Sequence, residues 1–220
     1  FLAGQGAVLG GAIVDAGTFD ATRSGRLYPH LVAPSRVGGP SRVDRHGPLA
    51  RVAYIRDSVA VRLGPTISPL NAFLIGQGIE TLSLRVERQS ANALAIATFL
   101  HDHPAVASVE YAGLPSSPFR ALAERYLPLG QGSVFAFTLH GGEAAARRLV
   151  DALALFTAMT HLGDVRSLIL HPRTTSHTQR TEEELGLAGI HPGTLRVSIG
   201  IEDVADLVAD LDRALQVASA

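Results

Sequence analysis

Apolar positions change their spacing twice along this 220-residue chain, marking an irregular beginning, a helical middle and an alternating end. The run AVLGGAIVDAG, residues 7–17, is short, apolar and bounded by glycines, which predicts a buried strand. Residues 18–48 lose all period and turn to Gly, Pro, Ser and Arg, so they predict a long surface loop. LARVAYIRDSVAVRLG, residues 49–64, restores helical spacing and ends on Gly64, a residue type suited to closing a helix. Beyond PTISP, residues 70–103 are helical almost throughout, with one break between Thr81 and Leu84, and stop before Pro104. A domain boundary is expected in this helical region, giving domains 1–85 and 86–220.

After residue 104 the pattern alternates. AVASVEY, GSVFAFTLHG, RSLILH and TLRVSIG read as strands, while PFRALAERYL, GEAAARRLVDALALF, the vicinity of TEEELGLAG, and IEDVADLVADLDRAL read as helices. Such alternation predicts an α/β layer with helices on one face of a small sheet. Within TLRVSIG the two-residue period puts Leu195, Val197 and Ile199 on one face and Thr194, Arg196 and Ser198 on the other. Arg196 therefore points away from the core layer. It is either a solvated surface cation or a planar fork placed to grip a carboxylate with two hydrogen bonds.

Composition narrows the chemistry. An apolar fraction of 46% suffices for a core, and a net charge of −1 without like-charge blocks gives no footprint for nucleic acid or a membrane surface. No apolar run reaches the roughly 18 to 20 residues of a membrane-spanning helix, and no leader pattern opens the chain, so a cytoplasmic location is expected. Cysteine is absent, which removes thiolate chemistry and disulfides. All 19 basic residues are arginine. These 220 residues alone therefore cannot complete chemistry that needs a lysine Schiff base.

HLGDVRSLILHPRTTSH, residues 161–177, crowds three histidines, an aspartate, two arginines and several hydroxyls around one strand. His161, His171 and His177 lack the spacing of a zinc site, and there is no nucleophile elbow for a serine triad, so no metal is expected. GQGAVLGG lacks the lysine of a phosphate-binding loop and precedes a strand pattern, which makes it a tight turn.

Taken in order, GGAIVDAGTFD, SPLNAFLIGQGIETLSLRVERQSANA, VEYAGLPSSP, LGDVRSLILHPRTTSHTQ and PGTLRVSIGIEDVADLVADLDRAL resemble the Cys/Met-metabolism family of pyridoxal-phosphate enzymes, and within it the O-acetylhomoserine sulfhydrylase branch. The match covers nearly the whole chain and is weakest over residues 22–48. It implies the end of a fold-type I large domain followed by a small α/β C-terminal domain. Phe1 resembles the phenylalanine that follows the family's cofactor-bearing lysine, so the resemblance implies that the Schiff-base lysine lies immediately before Phe1. No catalytic residue would then fall within this chain, and an N-terminal segment would supply the rest of the cofactor site. Arg196 matches the arginine that grips the substrate α-carboxylate, and Ser167 the serine whose backbone joins it. Ser176, Gly163 and His161 would line the same pocket. His161 stands where that branch more often shows asparagine, Gln5 where many relatives show histidine, and Arg166 where synthases and lyases more often carry an acid.

The implied activity replaces the γ-acyloxy group of O-acetylhomoserine with sulfide, giving homocysteine in methionine biosynthesis, by a pyridoxal 5'-phosphate enzyme assembled as a tetramer. A cystathionine γ-synthase or γ-lyase of the same family is the nearest alternative. A non-catalytic binding module is the alternative of another class.

Overall fold

A computed structural model describes residues 1–23 and 28–219. The chain divides into two compact units, Leu9–Phe73 and a larger one made of Phe1–Val8 with Leu74–Ala220.

In the smaller unit the described elements are short: α1 (Pro29–Val32), α2 (Arg42–His46), a 3-10 turn at Gly47–Leu49, α3 (Ala50–Tyr54), a π-helical turn at Ile55–Ala60, and α4 (Val61–Leu63). Ser41 and Asp44 form a reciprocal capping box at the start of α2. Gly64 closes the helical stretch in the left-handed conformation, as its sequence position predicts. Two expectations change here. The apolar run at residues 7–17 is not a buried strand: Leu9 is 87% and Val14 93% exposed, and among the described residues no strand runs beside it. Apolarity supplies a face, but a strand also needs a ladder partner for its backbone groups. The expected loop at residues 18–48 holds α1 and α2, and its residues 24–27 lie outside the described ones.

The helical middle forms as predicted, with α5 (Pro69–Glu80) and α6 (Leu82–His101) separated at Thr81. There follow β1 (Val106–Glu110), α7 (Arg120–Tyr126), β2 (Val134–Leu139), α8 (Gly142–Ala152), β3 (Thr157–Ala158), β4 (Leu168–Leu170), α9 (Glu182–Leu187), β5 (Thr194–Ser198) and α10 (Val204–Ser219). The strands make one mixed sheet in the order β1-β2-β5-β4-β3, antiparallel except for the β3–β4 pair. The helix expected over residues 142–156 ends early, because Leu153 turns to an extended conformation (ψ 142°) and leads into β3. Two residues are too few for an alternating pattern, so β3 left no sequence signal.

One face of the sheet carries the core. Phe137, Leu195, Val197 and Ile199 pack with Ile96 and Leu100 of α6, Leu149 of α8, and Leu207 and Leu211 of α10. Each such side chain contributes about 1.5–3 kcal/mol when fully buried. The other face presents Ala136, Thr138, Thr194, Arg196 and Ser198, with Arg196 paired across the ladders to Ala136 and Leu170.

Candidate functional site

β5 delivers Arg196 to the centre of the sheet, on the face opposite the core, where a cation would ordinarily reach water. Its surroundings are not those of a solvated arginine. The Nη2 atom donates to the carbonyls of Thr160 (2.7 Å) and His161 (3.1 Å), while Nε is buried without a partner. Among the described residues no carboxylate pairs with it. Burial holds the guanidinium pKa below its usual value. A charge held in place and left with spare donors is an anion-binding arrangement.

Next to it, Ser198 of β5 accepts a 2.8 Å bond from the buried N–H of Gly163. Gly163 has φ +76°, and a Cβ there would sit 2.5 Å from the ring of Phe1, so only glycine lets Phe1 lie this close. His161 joins the cluster through its carbonyl, and its ring Nε2 lies 4.0 Å from Oδ2 of Asp164. Asp164 is 1% exposed and accepts bonds from the N–H, Nε and Nη2 of Arg166. Burial pushes its carboxyl up, but those three bonds outweigh burial and hold it below the ordinary carboxylate range.

Arg196, His161 and Gly163 are thus brought together. Ser167 is not. The β4–β5 register pairs Leu168 with Ser198 and Leu170 with Arg196, so Ser167 has the parity of Ile169, which belongs to the core. Its N–H and hydroxyl both donate to Glu202, at 2.6 and 2.9 Å, and its Oγ accepts from the Gly200 N–H. Neither donor is left for a ligand. Ser176 bonds His177 Nδ1 (2.8 Å) in a polar groove formed with Thr178, Gln179, Arg180 and Glu184, and makes no hydrogen bond to the Arg196 cluster.

Glu202 is the residue that sequence reasoning overlooked. It ties the loop before β4 to the turn after β5, and Asn92 of α6 reinforces that tie by donating to the carbonyls of Gly200 and Glu202. The available signal was an acid two residues beyond a glycine that ends an apolar strand, which reads first as an ordinary helix-start acid.

Residues 1–216 match the family described as Cys/Met metabolism PLP-dependent enzyme. The O-acetyl-L-homoserine sulfhydrylase of Corynebacterium glutamicum is 40% identical over 96% of the chain and 49% of its own length. The O-succinylhomoserine sulfhydrylase of Pseudomonas aeruginosa is 45% identical over 69% of the chain and 38% of its own length. A solved O-acetylhomoserine (thiol)-lyase from Campylobacter jejuni, which carries a pyridoxyl-lysine phosphate, superposes with a TM-score of 0.79 at 36% identity, over 86% of the chain and 45% of that protein. The chain therefore spans about half the length of the curated relatives it matches. On these grounds it belongs to the Cys/Met-metabolism family of pyridoxal-phosphate-dependent enzymes.

Proposed function

We propose that this chain supplies the substrate-carboxylate side of an O-acetylhomoserine sulfhydrylase, which exchanges acetate for sulfide at Cγ to give homocysteine. The observation that carries the reading is the Arg196 guanidinium, anchored through Nη2 with Nε buried and unpartnered. An amino-acid carboxylate is an anionic acceptor for the guanidinium donors that those two carbonyls leave free.

The residues present fit the substrate end of a pyridoxal-phosphate site, while attachment of the cofactor falls to a lysine outside these 220 residues, before Phe1 in the family pattern. When bound, the cofactor withdraws electrons from the substrate Cα so that its proton can leave. Arg196 fixes the carboxylate and thereby the rotation of the Cα substituents. The carbonyls of Thr160 and His161 keep the guanidinium from swinging, and Gly163 leaves room for Phe1 beside it. Ser167 supports this frame through Glu202, and Ser176 stands outside it. Residues 1–85 would complete the large cofactor domain and 86–220 form the small one. The exposed apolar side chains of Leu9, Ile13 and Val14 are a surface that the rest of the large domain or a further subunit of a tetramer would cover.

The test is product analysis of the complete enzyme given O-acetylhomoserine and sulfide. Homocysteine and acetate should appear in equal amounts. Release of a 2-oxo acid and ammonia without sulfide would replace this reading with a γ-lyase. Cystathionine formed preferentially from cysteine would indicate a synthase, and no turnover at all would favour a binding module. O-succinylhomoserine, run beside the acetyl ester, fixes the acyl group.

A further inference from the structure

Arg85 of α6 is 7% exposed, and among the described residues no carboxylate pairs with it. A buried guanidinium without an anion persists only where hydrogen bonds replace its hydration. Arg85 finds four: Nη1 donates to the Phe1 carbonyl (2.9 Å), Nη2 to the carbonyls of Leu2 (3.2 Å) and Gly78 (2.7 Å), and Nε to the Thr81 hydroxyl (3.2 Å). The break between α5 and α6 is what makes this possible, since it leaves the last turn of α5 and Thr81 facing the fork.

Two glycines make room for the arrangement. A Cβ on Gly4 would meet Cζ of Arg85 at 2.6 Å, and one on Gly78 would meet the carbonyl oxygens of Ala3 and Leu2 at 2.5 and 2.6 Å. Further along, the Gly4 carbonyl accepts from the Val165 N–H (2.7 Å) and the Gln5 carbonyl from Arg166 Nη2 (3.0 Å). The first residues are therefore fastened to α6 at one end and to the loop carrying His161 and Gly163 at the other.

We propose that Arg85 is a positioning residue that fixes the cofactor-bearing lysine relative to Arg196, by holding the two carbonyls that directly follow that lysine. The inference rests on the functional reading above, in which the lysine precedes Phe1. A displacement of about 1 Å at a reacting group can cost on the order of 100-fold in rate. Arg85 would exert that effect without touching substrate or cofactor.

The complete enzyme tests this in two steps. Borohydride reduction and peptide mapping should place the cofactor on the residue before Phe1; a label elsewhere would overturn both the functional reading and the proposal. With that label in place, Arg85→Gln and Gly78→Ala should each shift the pH midpoint of the lysine-bound cofactor's visible band. They should also lower kcat roughly 10- to 100-fold, while KM for the amino acid changes less than about threefold, because Arg196 is untouched. Arg85→Lys should recover only part of the loss, since it keeps the charge without the fork. If Arg85→Gln fails to fold, Gly78→Ala decides alone, as it displaces the Leu2 carbonyl that Arg85 holds, together with that of Ala3, and removes no charge. A wild-type band midpoint and kcat in the folded variants would overturn the proposal, and so would a change confined to KM.

Discussion

The two units are built from similarly apolar sequence and reach opposite outcomes. In the larger unit Leu195, Val197, Leu207 and Leu211 are completely buried, whereas in the smaller one Ile13, Val14, Val61 and Leu63 are mostly exposed and Leu31 is the only large apolar side chain among its described residues that is fully buried. The sheet makes the difference. The apolar positions on its inner face share one buried core with residues of α6, α8 and α10, and the helices α8 and α10 are amphipathic. Apolar spacing is thus a statement about what a segment can bury, while burial itself depends on a partner.

The largest expected contrast is between Phe137→Ala and Val14→Ala in this chain. Phe137 is fully buried, and its truncation should cost about 3–5 kcal/mol in urea unfolding of the larger unit. Val14 is exposed, and its truncation should stay within about 0.5 kcal/mol. Comparable losses at both positions would mean that the smaller unit has a core of its own.

Asp210 sharpens the contrast electrostatically. Its carboxylate on α10 accepts from the N–H groups of Ala154 and Leu155, just past the end of α8, and from Arg213. Burial raises its pKa, but these bonds outweigh burial and leave it lowered. A lowered folded pKa means stabilisation that is complete above the ordinary value of about 3.9 and is lost as pH falls through the folded value. Asp210→Asn should therefore cost about 1–3 kcal/mol near pH 6, with the gap to wild type narrowing toward pH 3. A gap that stays constant with pH would deny the carboxylate this role.

Glycines provide a further contrast. A Cβ on Gly193 would overlap the Leu139 carbonyl oxygen, so Gly193→Ala should cost about 1–3 kcal/mol through backbone displacement. Gly11 has nothing within 4 Å, and Gly11→Ala should be neutral or stabilising by up to about 1 kcal/mol. Equal effects of the two substitutions on the unfolding midpoint would contradict the difference in packing.

Legibility followed the same division. The long periodic segments α6, α8 and α10 and the alternating strands β2 and β5 could be read directly, because each buries one face against neighbours within the chain, whereas α5 was read from its spacing and flanking proline although none of its residues is buried. Residues 7–17 misled because a glycine-bounded apolar run looks the same whether or not a ladder partner lies beside it. At the site, strand parity correctly turned Arg196 away from the core. The same parity, applied from β5 to β4, separates Ser167 from Arg196, but it requires the register between two strands, which spacing along one segment does not contain. Arg85 and Glu202 were unreadable for a related reason: their partners include backbone groups 83 and 84 residues away for Arg85, and 35 residues away for Glu202.

The central claim is that Arg196 grips the substrate carboxylate, and the direct measurement is kcat/KM of Arg196→Ala and Arg196→Lys in the complete enzyme, with cofactor absorbance recorded on the same samples. Loss of a desolvated, charge-assisted pair costs on the order of 2–4 kcal/mol, so kcat/KM should fall roughly 30- to 1000-fold for Ala, less for Lys, with the cofactor retained in both. Unchanged kcat/KM in Arg196→Ala would contradict the account and leave Arg196 as a structural cation on the outer face of the sheet.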